Sequence, residues 1–329
     1  MFNKILLSAI SFFLALIIVE ALLSFLDIHP PRPFYHDREF KTELSKHFVV
    51  DNEVGWTMIP NSKFHFTTEN RHITYYSNEK GYRVSQDYNV LNKNDATKVL
   101  VLGDSYMWGY GIEYENTFGG ILNKSKEKLD VTNLAMPGFG VDQMYLSLIH
   151  WGLYEKPDLI VLGIHTDDFF RGFTNHTLFF KPVFKNVNGK LILKSPLEKP
   201  SSIYRFIEVK SRIFDLYKDG DEWLGRNYGL GSWWNFNKLI LGEIIQTCEL
   251  NNIPLLVIHI PYYTGNSFPV LQEYLYDKNI DYLDINRAAK GDLDNLYLKK
   301  DKHLNESGHK LMADYALNWI DKQKYITNN

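Results

Sequence analysis

Two short stretches, far apart in the chain, combine residue types that can do acyl chemistry. Gly103-Asp104-Ser105 follows the apolar run Val99-Leu100-Val101-Leu102, and Asp301-Lys302-His303-Leu304-Asn305 lies near the other end. Four apolar residues stopped by a glycine predict a buried parallel strand. Ser105 then falls at the carboxyl end of that strand, where open α/β sheets carry their sites. A hydroxyl, an imidazole and a carboxylate are the nucleophile, base and orienting group of acyl transfer through a covalent intermediate. Taken alone, Gly-Asp-Ser also fits a tight turn into a helix. His303 alone fits a surface histidine ahead of a helix capped by Asn305.

The elements that must carry these residues alternate between strand and helix. After Val99–Leu102, a second strand is expected at Asp130–Leu134, ending in the loop Pro137-Gly138-Phe139-Gly140. A helix with Met144, Leu148 and Trp151 on one face follows, then an apolar strand at Leu159–Leu162 leading into His165-Thr166-Asp167-Asp168. Further strands are expected at Leu255–Ile260 and Asp281–Ile285. The last helix is expected from Glu306 to Trp319, with Leu311, Met312, Tyr315 and Trp319 inward. Such alternation calls for an α/β fold with a parallel five-stranded sheet covered on both faces. An insertion at about 169–236 interrupts it. It holds a hairpin turning on Asn188-Gly189, a helix near Ile203–Tyr217 and a loop rich in Trp223, Trp233 and Trp234.

Ahead of this unit, Ile5–Leu26 is nearly all apolar and long enough to cross a bilayer, and no Ala-x-Ala cleavage site follows it. Residues 1–28 therefore read as an uncleaved transmembrane anchor. Residues 29–95 read as a linker, opened by the stiff His29-Pro30-Pro31-Arg32-Pro33, and a β-rich extension; residues 96–329 form the α/β domain. Lys4 stands on one side of the span and Arg32, Arg38, Lys41 and Lys46 on the other, so charge does not favour export of the domain. N-terminal anchors nevertheless commonly carry a domain across.

Composition is that of a globular protein, with 45% hydrophobic and 23% charged residues, and the net charge of −3 gives no reason to expect a nucleic-acid partner. Aromatics at 15% are high and fit packing or sugar stacking. Cys248 stands alone, which excludes an internal disulfide, and its helical spacing from Leu241, Ile244 and Ile245 makes it a small core residue. No His/Asp/Glu grouping has the spacing of a metal site, and no cofactor motif is present.

The order Gly103-Asp104-Ser105-Tyr106, Asn133 with Gly138, Thr166-Asp167-Asp168, then Asp301-x-His303 resembles the four motif blocks of the SGNH, or GDSL, hydrolase superfamily. The resemblance covers about residues 96–325. Val54-Gly55-Trp56 and Asn78-x-x-Gly81-Tyr82-Arg83 look like the membrane-anchored bacterial branch. It implies a flavodoxin-like three-layer α/β/α fold and a catalytic set of Ser105, His303 and Asp301. The oxyanion hole would come from Ser105, Gly138 and the third-block residue, here Asp167. Asp104, Trp108, His165 and Thr166 are pocket candidates, Trp108 serving equally well as packing. His165 and His259 end strands at the same edge, and His309 reads as structural.

The third block departs from the family pattern, because Asp167 stands where an asparagine amide would donate. An ionised carboxylate only accepts. Losing such a donor typically costs about 100- to 1000-fold in rate, unless Asp167 is protonated or Thr166 donates instead. Asp301-x-His303 is also one residue tighter than the common spacing, as in alginate acetylation proteins. The resemblance implies a carboxylic ester hydrolase acting on O-acyl groups of an acylated carbohydrate or lipid. It places the domain in the periplasm or otherwise outside the cytoplasm, alongside a partner from envelope-glycan biosynthesis. An O-acyltransferase with the same triad, or a decayed glycan-binding or assembly protein, are the alternatives.

Overall fold

The computed structural model describes residues 2–26, 43–88, 96–125, 128–172, 177–194, 228–265, 268–290 and 292–327, with Leu216 and Leu224 as isolated positions. The helix expected near Ile203–Tyr217 and Trp223 lie outside the described residues.

Helix α1 (Phe2–Phe25) comes first. Its segment Leu6–Leu23 has a mean hydropathy of 2.6 with none of it buried against protein, so it is long and apolar enough to cross a membrane. A β-rich stretch follows: β1 (Phe48–Asp51) pairs antiparallel with β2 (Gly55–Met58), and β3 (Lys63–Thr68), β4 (Arg71–Ser77) and β5 (Arg83–Val84) form a separate three-stranded antiparallel sheet. Glu69 and Asn70 join β3 to β4 with positive φ at both positions, as a two-residue hairpin turn requires.

The main sheet is built from β6 (Thr97–Leu102), β7 (Leu129–Asn133), β8 (Leu159–His165), β11 (Leu255–Ile260) and β12 (Asp281–Asp284). All neighbours are parallel, in the order β12-β11-β8-β6-β7. This is the flavodoxin-like strand order, whose switch point lies between β6 and β8. The two central strands read as apolar runs because both faces are covered: Val99, Leu100, Val101, Leu102, Ile160, Val161 and Leu162 are all buried. Each such side chain contributes about 1.5–3 kcal/mol as an upper figure.

Helices cover the sheet: α2 (Ser105–Trp108), α3 (Phe118–Lys124), α4 (Val141–His150), α5 (Asp168–Arg171), α6 (Gly231–Leu250), α7 (Pro269–Asp277), α8 (Ile285–Ala288) and α9 (Glu306–Thr327). Between α5 and α6, β9 (Val183–Val187) and β10 (Lys190–Lys194) make the hairpin expected at Asn188-Gly189.

Two expectations change. Trp233 and Trp234 do not sit in a loop; they open α6 and are buried, because the spacing of Ile240, Leu241, Ile244, Ile245 and Cys248 extends upstream to them. Tyr315 stays partly exposed at 37%, and the inward stripe of α9 is Met312, Ala313, Ala316, Trp319 and Ile320. Cys248 is buried, and burial pushes its thiol up to about 12.

Candidate active site

The nucleophile candidate owes its place to two neighbours. Gly103 leaves β6 where a Cβ would lie 2.5 Å from the Met107 side chain, so only glycine lets the chain turn this tightly. Asp104 then caps α2, its Oδ1 accepting from the Tyr106 amide at 2.9 Å. Ser105 is thus the first residue of a helix at the carboxyl end of β6.

On the other side, Asn305 Oδ1 accepts from the amides of Ser307 (2.8 Å) and Gly308 (3.2 Å) and starts α9. His303 lies just before that cap. Its Nε2 is 2.8 Å from Ser105 Oγ, and its Nδ1 hydrogen-bonds Asp301 Oδ1. A carboxylate accepts from Nδ1–H, so Nε2 carries the lone pair that faces the hydroxyl. The tight Asp-x-His spacing works because Lys302 adopts φ +68°, in the left-handed region, which folds Asp301 back onto the imidazole. The rings of Tyr106 and Tyr110 flank His303 at 4.6 and 4.5 Å between centroids.

Gly138 holds φ +80° in its turn, and its carbonyl accepts from Thr177 Oγ1 at 3.1 Å. The preceding Pro137 carbonyl accepts from Trp56 Nε1 at 3.0 Å. Among the described residues the amides of Ser105 and Gly138 have no acceptor. Asn133, at the end of β7, donates from Nδ2 to the Met107 carbonyl at 3.0 Å and supports α2 from below.

Asp167 lies in the turn after β8, at the N-cap position of α5. Its carboxylate accepts from the Tyr262 hydroxyl, and its amide donates to His165 Nδ1 at 3.3 Å. That bond needs the Nδ1 lone pair, so His165 is neutral; burial lowers it to about 4 despite the charges of Asp167 and Asp104. Its ring stacks on Tyr106 at 4.5 Å. Thr166 Oγ1 lies 3.3 Å from His259 Nε2.

The pocket candidates are largely interior. Asp104, Trp108 and Thr166 are 0% exposed and His165 is 1% exposed, so these four are interior and do not wall an open pocket. Trp108 packs: it stacks on Tyr75 at 4.4 Å and faces the Arg83 guanidinium at 4.9 Å. Asp104 meets Arg171 Nη1 at 2.8 Å, and the same nitrogen reaches Asp168 Oδ1 at 2.5 Å. Burial works against the Asp104 charge, but the Arg171 guanidinium holds its carboxyl below the ordinary value. Asp168 is pushed well above it by burial and by the neighbouring Asp104 charge.

Several contributors escape a sequence reading. Arg171 was legible in principle, three residues after Asp168 on a helix. Tyr262 follows the end of β11, the same carboxyl-edge logic that locates Ser105. Glu69 gives no sequence signal.

No family model and no curated protein matches the chain. Solved structures do. One is a member of the lipolytic protein G-D-S-L family from Veillonella parvula, 17% identical, with 68% of this chain and 97% of that chain covered and a TM-score of 0.40. Another is the psychrotrophic esterase EstA from a Pseudoalteromonas species, at 13% identity, coverage of 71% and 100%, and a TM-score of 0.42. A third is an acetylxylan esterase from Geobacillus stearothermophilus, at 14% identity, coverage of 68% and 93%, and a TM-score of 0.42. What the site does is read from its own geometry.

Proposed function

We propose that this chain is a membrane-anchored serine ester hydrolase of the SGNH kind, removing O-acyl groups, acetyl in the first place, from a cell-envelope glycan or glycolipid. The observation that carries the reading is the Ser105 hydroxyl 2.8 Å from His303 Nε2, with Asp301 on the opposite ring nitrogen. Ser105 Oγ attacks the ester carbonyl while His303 takes its proton, and Asp301 holds the tautomer and stabilises the imidazolium. The oxyanion draws on the Ser105 and Gly138 amides, which have no competing acceptor among the described residues. His303 returns the proton to the departing alcohol. Water, deprotonated by the same imidazole, then releases the acid and frees Ser105.

The apolar helix α1 supports attachment to a membrane, and an extracytoplasmic domain facing envelope glycans and their biosynthetic partners fits that arrangement. Asp167 departs from the family's asparagine. With the tight Asp301-x-His303 spacing, it leaves an O-acyltransferase, which passes the acyl group to a sugar hydroxyl with the same triad, as the alternative.

The full-length chain in detergent, assayed on p-nitrophenyl acetate and labelled with a fluorophosphonate, tests the proposal. Ser105→Ala should lose labelling and about 1000-fold or more of the activity. Equal labelling of wild type and variant refutes a serine mechanism. Acetate released without an acceptor supports hydrolysis, whereas turnover only with an added sugar supports transfer.

A further inference from the structure

The β-rich stretch ahead of the sheet does more than connect it to α1. Its side chains grip the loops on which the candidate site stands. Trp56 Nε1 holds the Pro137 carbonyl beside Gly138. Arg83, fully buried, donates to the carbonyls of Trp108 (2.7 Å), Gly109 (2.5 Å) and Ile112 (2.5 Å), at the end of the nucleophile's helix and in the turn after it. The Gly111 amide donates to Tyr75 Oη at 2.9 Å.

The β3–β4 hairpin tip makes the most direct of these contacts. Glu69 Oε1 accepts from the Lys300 amide at 2.5 Å and from the amide of Asp301 itself. Two residues on, Arg71 Nη1 and Nη2 reach the two Glu306 carboxylate oxygens at 2.6 and 3.3 Å, at the first turn of α9. Behind the imidazole, Phe66 of β3 meets Tyr110 edge-on at 5.7 Å, and Tyr110 lies against His303. The hairpin therefore touches the carboxylate residue, the helix that follows the histidine, and the ring beside it.

The Asp301–His303 turn needs such support. Lys302 is a non-glycine residue in the left-handed region, a conformation that costs about 1–2 kcal/mol and persists only where its surroundings hold it. From its own side it has the Tyr106 hydroxyl on the Lys302 carbonyl (3.2 Å) and the Leu298 amide on the His303 carbonyl (2.7 Å). Glu69 fixes the entry of the turn.

We propose that Glu69 is a positioning residue: by accepting the Lys300 and Asp301 amides it sets the reach of Asp301 to His303, so the N-terminal hairpin is part of the working site. This rests on the serine-hydrolase reading above. The experiment compares wild type, Glu69→Ala, Glu69→Gln and Ser105→Ala as full chains in detergent. It measures kcat and KM on p-nitrophenyl acetate, far-UV circular dichroism, and the low-field proton resonance of the His303 Nδ1–H.

Glu69→Ala should keep its circular dichroism and KM, lose about tenfold in kcat, and weaken or lose the low-field resonance. Glu69→Gln retains an oxygen that accepts the same two amides and should stay within about threefold of wild type, with the resonance intact. Wild-type kcat and an unchanged resonance in Glu69→Ala would overturn the positioning role and leave the hydrolase reading standing. If Glu69→Ala does not fold, a Glu69→Gln variant that folds but loses the resonance overturns it as well. If Ser105→Ala is as active as wild type, the hydrolase reading fails, and the resonance alone then decides whether Glu69 holds the turn.

Discussion

His309 offers a test whose magnitude follows from the fold. It is 1% exposed in α9, and its Nδ1 accepts from the Phe118 amide at 3.1 Å, so the folded protein holds it neutral. Burial, with smaller effects from Arg83 and His303, lowers it to about 3, against 6.5 in the unfolded chain. The unfolded state therefore binds the proton first, and stability present above pH 6.5 is lost as pH falls towards 3. At about 1.4 kcal/mol per pH unit, the loss between pH 7 and pH 5 is about 2 kcal/mol for this residue. Asp142 and Asp168, which burial raises, pick up protons in the folded state and oppose this trend. The clean quantity is consequently a difference. His309→Asn keeps an acceptor near the Nδ1 position but cannot titrate. Urea unfolding of both proteins at pH 7 and pH 5 should show the variant losing about 2 kcal/mol less over that interval. Equal losses in the two proteins would refute the argument. His165, lowered to about 4 by burial, behaves the same way, so acid sensitivity belongs partly to the scaffold and must be separated from any titration of the site.

Further outcomes are expected. Asp167→Asn keeps an oxygen for the Tyr262 hydroxyl and adds an N–H donor, so kcat on acetyl esters should rise about tenfold or more; an unchanged or lower kcat would remove Asp167 from the oxyanion hole. Lys181 and Asp142 form an ion pair with both side chains 0% exposed. Lys181→Met strands a buried carboxylate, at a cost of about 3–5 kcal/mol, which should lower Tm by about 10 °C. Adding Asp142→Leu should recover most of that loss in a thermal melt, and no recovery would show that packing, not charge, explains it.

The elements of the main sheet were readable because burial on both faces leaves an apolar signature: Leu255–Ile260 was located to the residue, and β8 ran three residues past its expected end, taking His165 into the strand. Ser105, Asp301 and His303 were likewise nameable, since their residue types and motif order are properties of the chain. Trp108 was ambiguous because an indole beside a nucleophile serves packing and a pocket wall equally well in one dimension; only Tyr75 and Arg83 closing over it decide the matter.

Local sequence thus determined the strands, the turn at Ser105, the caps at Asp104 and Asn305, and the apolar helix at the start. Their physics is short-ranged: unbroken apolar runs, backbone freedom at glycine, and side chains that hydrogen-bond amides two or three residues away. Tertiary structure alone decided that residues 105 and 303 meet, that Arg171 shares its charge between Asp104 and Asp168, and that Glu69 reaches the amide of Asp301. Those contacts join groups whose separation in the chain carries no periodic signal, and they exist only once the sheet order has brought its carboxyl edge and the N-terminal hairpin together.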